Sequence, residues 1–172
     1  MNENSNNQTE PMEQAGQSES IEQTQDLEKY LVFNLKDKYY ALQSKIISEV
    51  AVLEKVFPLP LVPEYVLGII NRYSVPYALI DLDFLISGNI SSVQKIIVLK
   101  EEIDKLAFLI DDVTDIIDIS PDLLIKTDVE ENALEPGPGS IYAYFEWKGS
   151  PVFCLDTGII INRIKQDFIA KT

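Results

Sequence analysis

Carboxylates are the side chains of this sequence best suited to chemistry. Asp81 and Asp83 have the D-x-D spacing of some metal sites, and a denser acidic group follows, made up of Asp111, Asp112, Asp115 and Asp118. Such residues could hold a divalent cation or activate water for hydrolysis. The second group lacks the D-x-[DN]-x-[DN]-G order of a calcium loop, and apolar residues alternate with its aspartates. We interpret Asp81 as a turn or cap acceptor and the second group as the polar face of a strand; hydrolysis or small-ligand binding at these carboxylates remains an alternative.

The residue types on which most enzymes rely are missing or isolated. The chain has no histidine and one cysteine, Cys154, in the apolar run VFCLD. Ser-His and Cys-His nucleophile pairs are therefore excluded, and a disulfide within the chain is impossible. We expect Cys154 to be buried as a small hydrophobic residue. The sequence predicts a protein that is not an enzyme and that carries no metal and no cofactor.

Charge and hydropathy limit the possible partners. The formal net charge is -14, and the lysines and arginines are scattered rather than gathered in a basic block. Phosphate backbones and anionic membrane surfaces are poor partners for such a chain. The sequence shows no apolar run of about 18 residues and no secretory signal. We therefore expect a cytoplasmic protein that binds no nucleic acid and does not insert into a membrane.

The N-terminal segment differs in composition from the rest. Residues 1–28 contain seven acidic residues and no lysine or arginine, among many Asn, Gln and Ser. Such a composition buries too little apolar surface to become ordered. We predict a disordered acidic tail over residues 1–28, which is either a solubilising extension or a regulatory or tethering arm.

Residues 29–172 alternate between strand-like runs and polar turns. The runs have spacings of about 8–12 residues, which is typical of small barrels or a sandwich, and they are YLVFNL, YYAL, GIIN, VPYALIDL, VQKIIVLK, KLAFLI, VTDIIDIS, IYAYFEW and PVFCLD. Residues 44–53 suggest a short helix or turn that enters a strand, and residues 126–140 suggest a loop. A C-terminal helix should begin after Asp156 or Thr157. About five strand-like runs lie in each half, so a tandem of two small barrels is plausible.

One segment is more specific than this general pattern. GIINRYSVPYALIDL, residues 68–82, resembles the central signature of the CheW family of bacterial chemotaxis proteins, G-[VI]-[IVT]-N-L-R-G-x-[VI]-[VI]-P-[VI]-[IV]-D-L. The matching residues are Gly68, Ile69, Ile70, Asn71, Ile80, Asp81 and Leu82. Similar agreement is found upstream, from Phe33 to Leu42 and at Glu49-Val50, and downstream in AFLIDDVTDIIDIS. The resemblance covers roughly residues 29–165.

The resemblance implies a fold of two five-stranded SH3-like barrels packed side by side. Applied to this sequence, it places the first barrel at roughly residues 29–88, the second at roughly 92–155 and a C-terminal helix at roughly 157–170. It also implies a non-enzymatic adaptor that couples methyl-accepting chemoreceptors to the histidine kinase CheA. Its partners would be the CheA regulatory domain, the cytoplasmic tip of the receptors and CheW-like neighbours in a ring, in a cytoplasmic protein recruited to membrane receptor arrays.

The same resemblance implies a receptor-facing groove. Ile47 and Glu49 would form one wall, and the residues that follow Asn71 would form the other, namely Arg72, Tyr73 and Ser74. The arginine of the family falls on Tyr73, which cannot make the bidentate carboxylate contacts of a guanidinium. Either Arg72 substitutes after a local shift of the backbone, or the groove recognises something altered. The alternative function is therefore a divergent CheW-like scaffold for another signalling complex or for the kinase alone.

Overall fold

The computed structural model describes residues 26–88, 94–127 and 140–170. Within them the elements are β1 (Glu28–Leu35), β2 (Lys38–Gln43), β3 (Ile47–Val52), β4 (Val66–Arg72), β5 (Val75–Asp81), α1 (Leu82–Ser87), β6 (Lys95–Leu99), β7 (Leu106–Ile110), β8 (Asp112–Ile119), β9 (Ile125–Lys126), β10 (Ile141–Trp147), β11 (Ser150–Leu155) and α2 (Thr157–Ala170). One 3₁₀ turn precedes β3 and another follows β8. Most of the predicted acidic tail and most of the predicted loop at 126–140 lie outside the described residues.

The strands form two sheets, and the chain is mostly β, as predicted. One sheet has six strands in the order β8-β1-β2-β11-β10-β9, and the other has five in the order β3-β6-β7-β5-β4. The two orders are equivalent. In each sheet an outer strand pairs with a hairpin, that hairpin pairs in parallel with the second strand of another hairpin, and a helix follows this second strand in the chain. The sixth strand, β9, has only two residues.

Strand pairing crosses the predicted boundary between the barrels. The β1–β2 hairpin belongs to the sheet of β8–β11, and the β6–β7 hairpin belongs to the sheet of β3–β5. A sequential division into residues 29–88 and 92–155 therefore does not describe the two sheets. The cause is the parallel pairing of β2 with β11 and of β5 with β7, since parallel strands cannot be joined by a tight turn and need a distant partner.

Apolar side chains fill three clusters because most strands are covered on both faces. Tyr30 and Val32 of β1 contribute to a cluster with β10 and β11, whereas Leu31 and Phe33 of the same strand face a second cluster. This second cluster is the largest and also receives residues of the five-stranded sheet and of α2. The third lies within the five-stranded sheet. Each sheet thus encloses a small core of its own, and both share a larger one.

Both helices begin with the same hydrogen bond. The Oδ1 atom of Asp81 accepts from the backbone N of Phe84 at 3.0 Å, and Oδ1 of Asp156 accepts from the backbone N of Ile159 at 3.0 Å. This confirms Asp81 as a cap and the start of the C-terminal helix, whose Ile160 and Ile164 are buried. The short helix α1 was not predicted. Its sequence signals are Asp81 before it and Gly88 after it, in the left-handed conformation with φ 73°.

Gly68 lies where two segments of the backbone approach each other closely. It lies inside β4, with φ 140°, and a Cβ atom there would come within 2.3 Å of the carbonyl oxygen of Phe57. The segment after β3 crosses β4 at this point, where Phe57 and Ile69 exchange two backbone hydrogen bonds of 2.8 Å. The glycine therefore permits this close backbone approach.

We predict that Gly68→Ala lowers the free energy of unfolding by about 3 kcal/mol or more, because it combines a backbone clash with a disfavoured φ. Gly149→Ala is the matched control: Gly149 has φ 78° but open space around the added methyl group. It should cost about 1 kcal/mol. Urea denaturation followed by circular dichroism measures both, and equal costs would contradict the steric argument.

Candidate partner-binding surface

The ion pair of Glu49 and Arg72 joins the two outer strands of the five-stranded sheet. Nε of Arg72 donates to Oε1 of Glu49 at 2.7 Å, and a terminal guanidinium nitrogen donates to Oε2 at 3.0 Å. Glu49 lies on β3 and Arg72 at the end of β4, which are the first and last strands of the sheet order. The sheet must therefore curl until its two edges face each other.

The hydrogen bonds between the two side chains outweigh the effect of burial, which disfavours both charges. The side chains of Arg72 and Glu49 are 19% and 22% exposed. The hydrogen bond from Arg72 lowers the pKa of the Glu49 carboxyl, and the same bond raises the pKa of Arg72. Both groups thus remain charged at neutral pH. Their two parallel hydrogen bonds form a bidentate geometry, which a compact ammonium group such as that of lysine cannot make.

The turn after Arg72 presents an aromatic side chain to solvent. Tyr73 and Ser74 have φ angles of 50° and 68°, the two positive values of a type I′ turn, and Arg72 pairs with Val75 at its base. Neither residue is glycine or asparagine, so the turn is strained. Tyr73 is 85% exposed; its hydroxyl donates to Oε2 of Glu49 at 3.4 Å, and the guanidinium carbon of Arg72 lies 5.4 Å from the centre of its ring.

The structure therefore brings together three of the six residues that the sequence indicated. Glu49, Arg72 and Tyr73 contact one another, and Ser74 is exposed beside them. Asn71 is exposed on β4. Ile47 packs against the shared core and is half-buried. A guanidinium is present here, but Arg72 supplies it, one residue before the position of the family arginine.

Sequence reasoning missed the apolar part of this surface. Val50 and Val52 on β3 are 42% and 58% exposed, and Phe57 is 49% exposed. Val52, Phe57, Asn71 and Arg72 line one depression of about 210 Å³. The period-two alternation of exposed and half-buried residues along β3 could have identified the valines. Phe57 gives no such signal, because it reaches β4 only through its backbone bridge to Ile69.

The six-stranded sheet has an equivalent arrangement. Asp115 on the outer strand β8 lies 3.7 Å from Nζ of Lys148, in the positive-φ turn Lys148-Gly149 between β10 and β11. Nζ of Lys148 is 4.0 Å from the ring centre of Trp147. Ile116, next to Asp115, is 56% exposed. The two sheets thus repeat one pattern of acid, cation and aromatic ring, with different side chains.

Three other aspartates that the sequence offered as metal ligands make structural contacts instead. Asp83 is buried, with Nζ of Lys36 3.3 Å from its Oδ2 atom. Along β8, Asp118 pairs with Lys29 at 3.0 Å, and Asp112 pairs with Lys95. Among residues 26–88, 94–127 and 140–170, no group of three or more His, Cys, Asp or Glu side chains is placed to hold a metal ion. Asp112 and Asp118 lie on the exposed face of β8, whereas Asp115 lies on its half-buried face and Asp111 precedes the strand, so the predicted polar face holds for two of the four aspartates.

Cys154 is fully buried in the core of the six-stranded sheet, as expected. Burial raises the pKa of its thiol to about 12. The thiolate, which is the nucleophilic form, is therefore absent at neutral pH. In the part of the chain that the structure describes, no helix has the length and apolar content needed to cross a membrane.

These features agree with comparisons to known proteins. Residues 29–165 match the family model of the CheW-like domain, and the chain belongs to this family. Among solved structures it is similar to the scaffolding protein TtCheW from Thermoanaerobacter tengcongensis, with a TM-score of 0.68 and 18% identity, covering 76% of this chain and 85% of that one. The likeness confirms the fold predicted from the signature. A search of curated protein sequences gave no match.

We predict that Glu49→Ala and Arg72→Ala each lower the free energy of unfolding by about 1–3 kcal/mol, because each leaves a partly buried charge without its partner. Their double-mutant cycle should give a coupling energy of about 1 kcal/mol or more. The exposed pair Glu101 and Lys105, 3.8 Å apart, is the control and should couple by less than about 0.5 kcal/mol. Equal coupling in both cycles would contradict a special role for the first pair.

The same pair predicts a pH dependence. Since the pKa of Glu49 is lowered on folding, its stabilisation is complete above the ordinary carboxyl pKa of about 4.3 and is lost as the pH falls through the folded value. The stability difference between the unmodified protein and Glu49→Gln should thus shrink below about pH 4. Urea titrations at a series of pH values measure it, and a difference that is constant with pH would contradict the assignment.

Proposed function

We propose that this protein is a non-enzymatic adaptor that couples methyl-accepting chemoreceptors to the histidine kinase CheA, in the cytoplasm, at receptor arrays. The observation that carries the proposal is the Glu49–Arg72–Tyr73 surface, which occurs where the family signature implies the receptor-facing groove. It offers exposed contact groups and no pair of nucleophile and base. Membership of the CheW family supports the same conclusion.

The contact chemistry of this surface suits protein recognition. Arg72 and Glu49 satisfy each other, so a partner meets a nearly neutral, preorganised rim instead of a free charge. Tyr73, held above that rim, is the kind of aromatic anchor that dominates binding energy at interfaces. Val52 and Phe57, which line a depression together with Arg72, extend the apolar area beside it. We infer that Tyr73 is the principal receptor contact.

An adaptor needs at least two contact surfaces, and the fold offers two related ones. The Asp115, Trp147 and Lys148 surface lies on the six-stranded sheet, whereas the Glu49–Arg72–Tyr73 surface lies on the five-stranded sheet. We assign the first to the regulatory domain of CheA, which is itself CheW-like, and to CheW-like ring neighbours. One chain would then link a receptor on one side to a ring member on the other.

The second candidate is a CheW-like scaffold that binds the kinase alone or serves another signalling complex. The observation that favours it is Tyr73 at the position of the family arginine. A phenol accepts and donates single hydrogen bonds and cannot clamp a carboxylate. Receptors that rely on such a clamp would not bind.

Co-sedimentation of the full chain with receptor cytoplasmic fragments and with the CheA regulatory domain tests the first proposal. A ternary complex is expected, and failure to retain either partner at tens of micromolar would refute it. Retention of the kinase domain alone, with no receptor binding gained by Tyr73→Arg, would select the second candidate.

We predict that Tyr73→Ala weakens receptor binding at least tenfold, about 1.4 kcal/mol, because it removes the exposed ring. Tyr73→Phe should stay within about threefold, since the hydroxyl contact with Glu49 is long. Ile169→Ala, which removes an apolar side chain 77% exposed on α2, is the control and should bind normally. Isothermal titration with a receptor fragment measures all three; a Tyr73→Ala protein that binds normally would exclude the ring as the anchor.

A further inference from the structure

A cavity of about 740 Å³ lies beside the first turn of α2, away from both surfaces described above. Its walls come from the segment between β2 and β3, the β6–β7 turn, the segment between β8 and β9, the adjoining ends of β10 and β11, and α2. The volume lies within the range of small-molecule sites. Five larger apolar side chains line it, namely Ile46, Ile103, Leu124, Leu155 and Ile161.

A network of hydrogen-bonded polar groups lies at one wall of this cavity. Tyr30 donates its hydroxyl proton to Oε2 of Glu28 at 2.7 Å, and Nε2 of Gln43 donates to the same oxygen at 2.9 Å. The hydroxyl oxygen of Tyr142 lies 2.8 Å from that of Tyr30. Both bonds to the Glu28 carboxylate end on Oε2, and its Oε1 atom accepts no hydrogen bond from the residues that the structure describes. Glu28 thus offers an acceptor oxygen, held in place by two donors on its other side.

The charged groups around the cavity favour a positively charged ligand. Three carboxylates line it, those of Glu28, Glu102 and Asp156, against one ammonium group, that of Lys126. Asp156 is committed to the cap of α2, and Glu102 is exposed at the rim. An anion would be repelled here, whereas a cation would gain charge-assisted hydrogen bonds.

We propose that this cavity binds a small organic amine with an apolar body. The ammonium group donates to Oε1 of Glu28, and the hydrocarbon part packs against Ile103, Leu124 and Ile161. Because the lining includes the β6–β7 turn, the six-stranded sheet and α2, the bound amine contacts both sheets at once. Binding should therefore raise the melting temperature of the protein, and the binding signal should saturate as the amine concentration rises.

The full chain is titrated with 4-phenylbutylamine and, in parallel, with 4-phenylbutanoate, which has a similar apolar body and the opposite charge. Chemical shifts in ¹⁵N-labelled protein and isothermal titration follow the binding. We expect saturable shifts at cavity residues and at least tenfold tighter binding of the amine. Glu28→Gln should weaken amine binding at least fivefold, while Glu64→Gln, an exposed carboxylate outside the cavity, should leave it unchanged.

A second variant covers the case in which Glu28→Gln disturbs the fold. Leu124→Trp adds bulk to the cavity wall and should weaken binding of the amine without touching the polar network. Equal affinities for the two probes, shifts that do not saturate, shifts centred on other residues, or full binding by both variants would each overturn the proposal. The test uses neither receptor nor kinase, so its outcome is independent of the proposed adaptor function.

Discussion

Backbone pairing between strands that are distant in the chain is the constraint on which the rest of this structure depends. The β1–β2 hairpin is held by β8 on one side and by β11 on the other, and the β6–β7 hairpin is held by β3 and β5. Each hairpin thereby becomes the centre of a sheet built largely from the other half of the chain. Central strands of this kind are covered on both faces, which is why LAFLI of β7 is buried at all five residues. The shared core follows from this arrangement. Each hairpin carries the chain from one sheet into the other, so the two sheets are held against each other.

The sequence was sufficient to predict much of the fold. Strand-like runs between polar turns identified most of the strands, and the family signature identified the architecture. Partner choice between strands was not predictable from periodicity, since any apolar run could pair with any other. The helix α1 was missed because six residues give too little helical periodicity to separate LDFLIS from a strand. The role of Gly68 was missed for a related reason: only the folded chain places Phe57 against it.

The candidate surface was predictable in part. Glu49 could be read as an ordinary surface carboxylate or as part of a contact surface; the structure makes it the partner of Arg72, a relation between opposite edges of a sheet that sequence spacing does not encode. Tyr73 was recognised as a departure from the family, but its exposure follows from the strained turn that carries it. The equivalent contacts of the two sheets differ in strength: a bidentate arginine contact of 2.7 Å in the five-stranded sheet, and a looser lysine contact of 3.7 Å in the six-stranded sheet.

The exchange of hairpins also affects the order in which the protein can fold during its synthesis on the ribosome. Chains generally fold as domains emerge, starting from the N-terminus. Here the first hairpin finds its parallel partner only after β11, which ends at Leu155, has been synthesised. The nascent β1–β2 hairpin therefore waits with apolar strands exposed until the end of β11 has been made, whereas the strands of the five-stranded sheet are complete once Ile110 has been added.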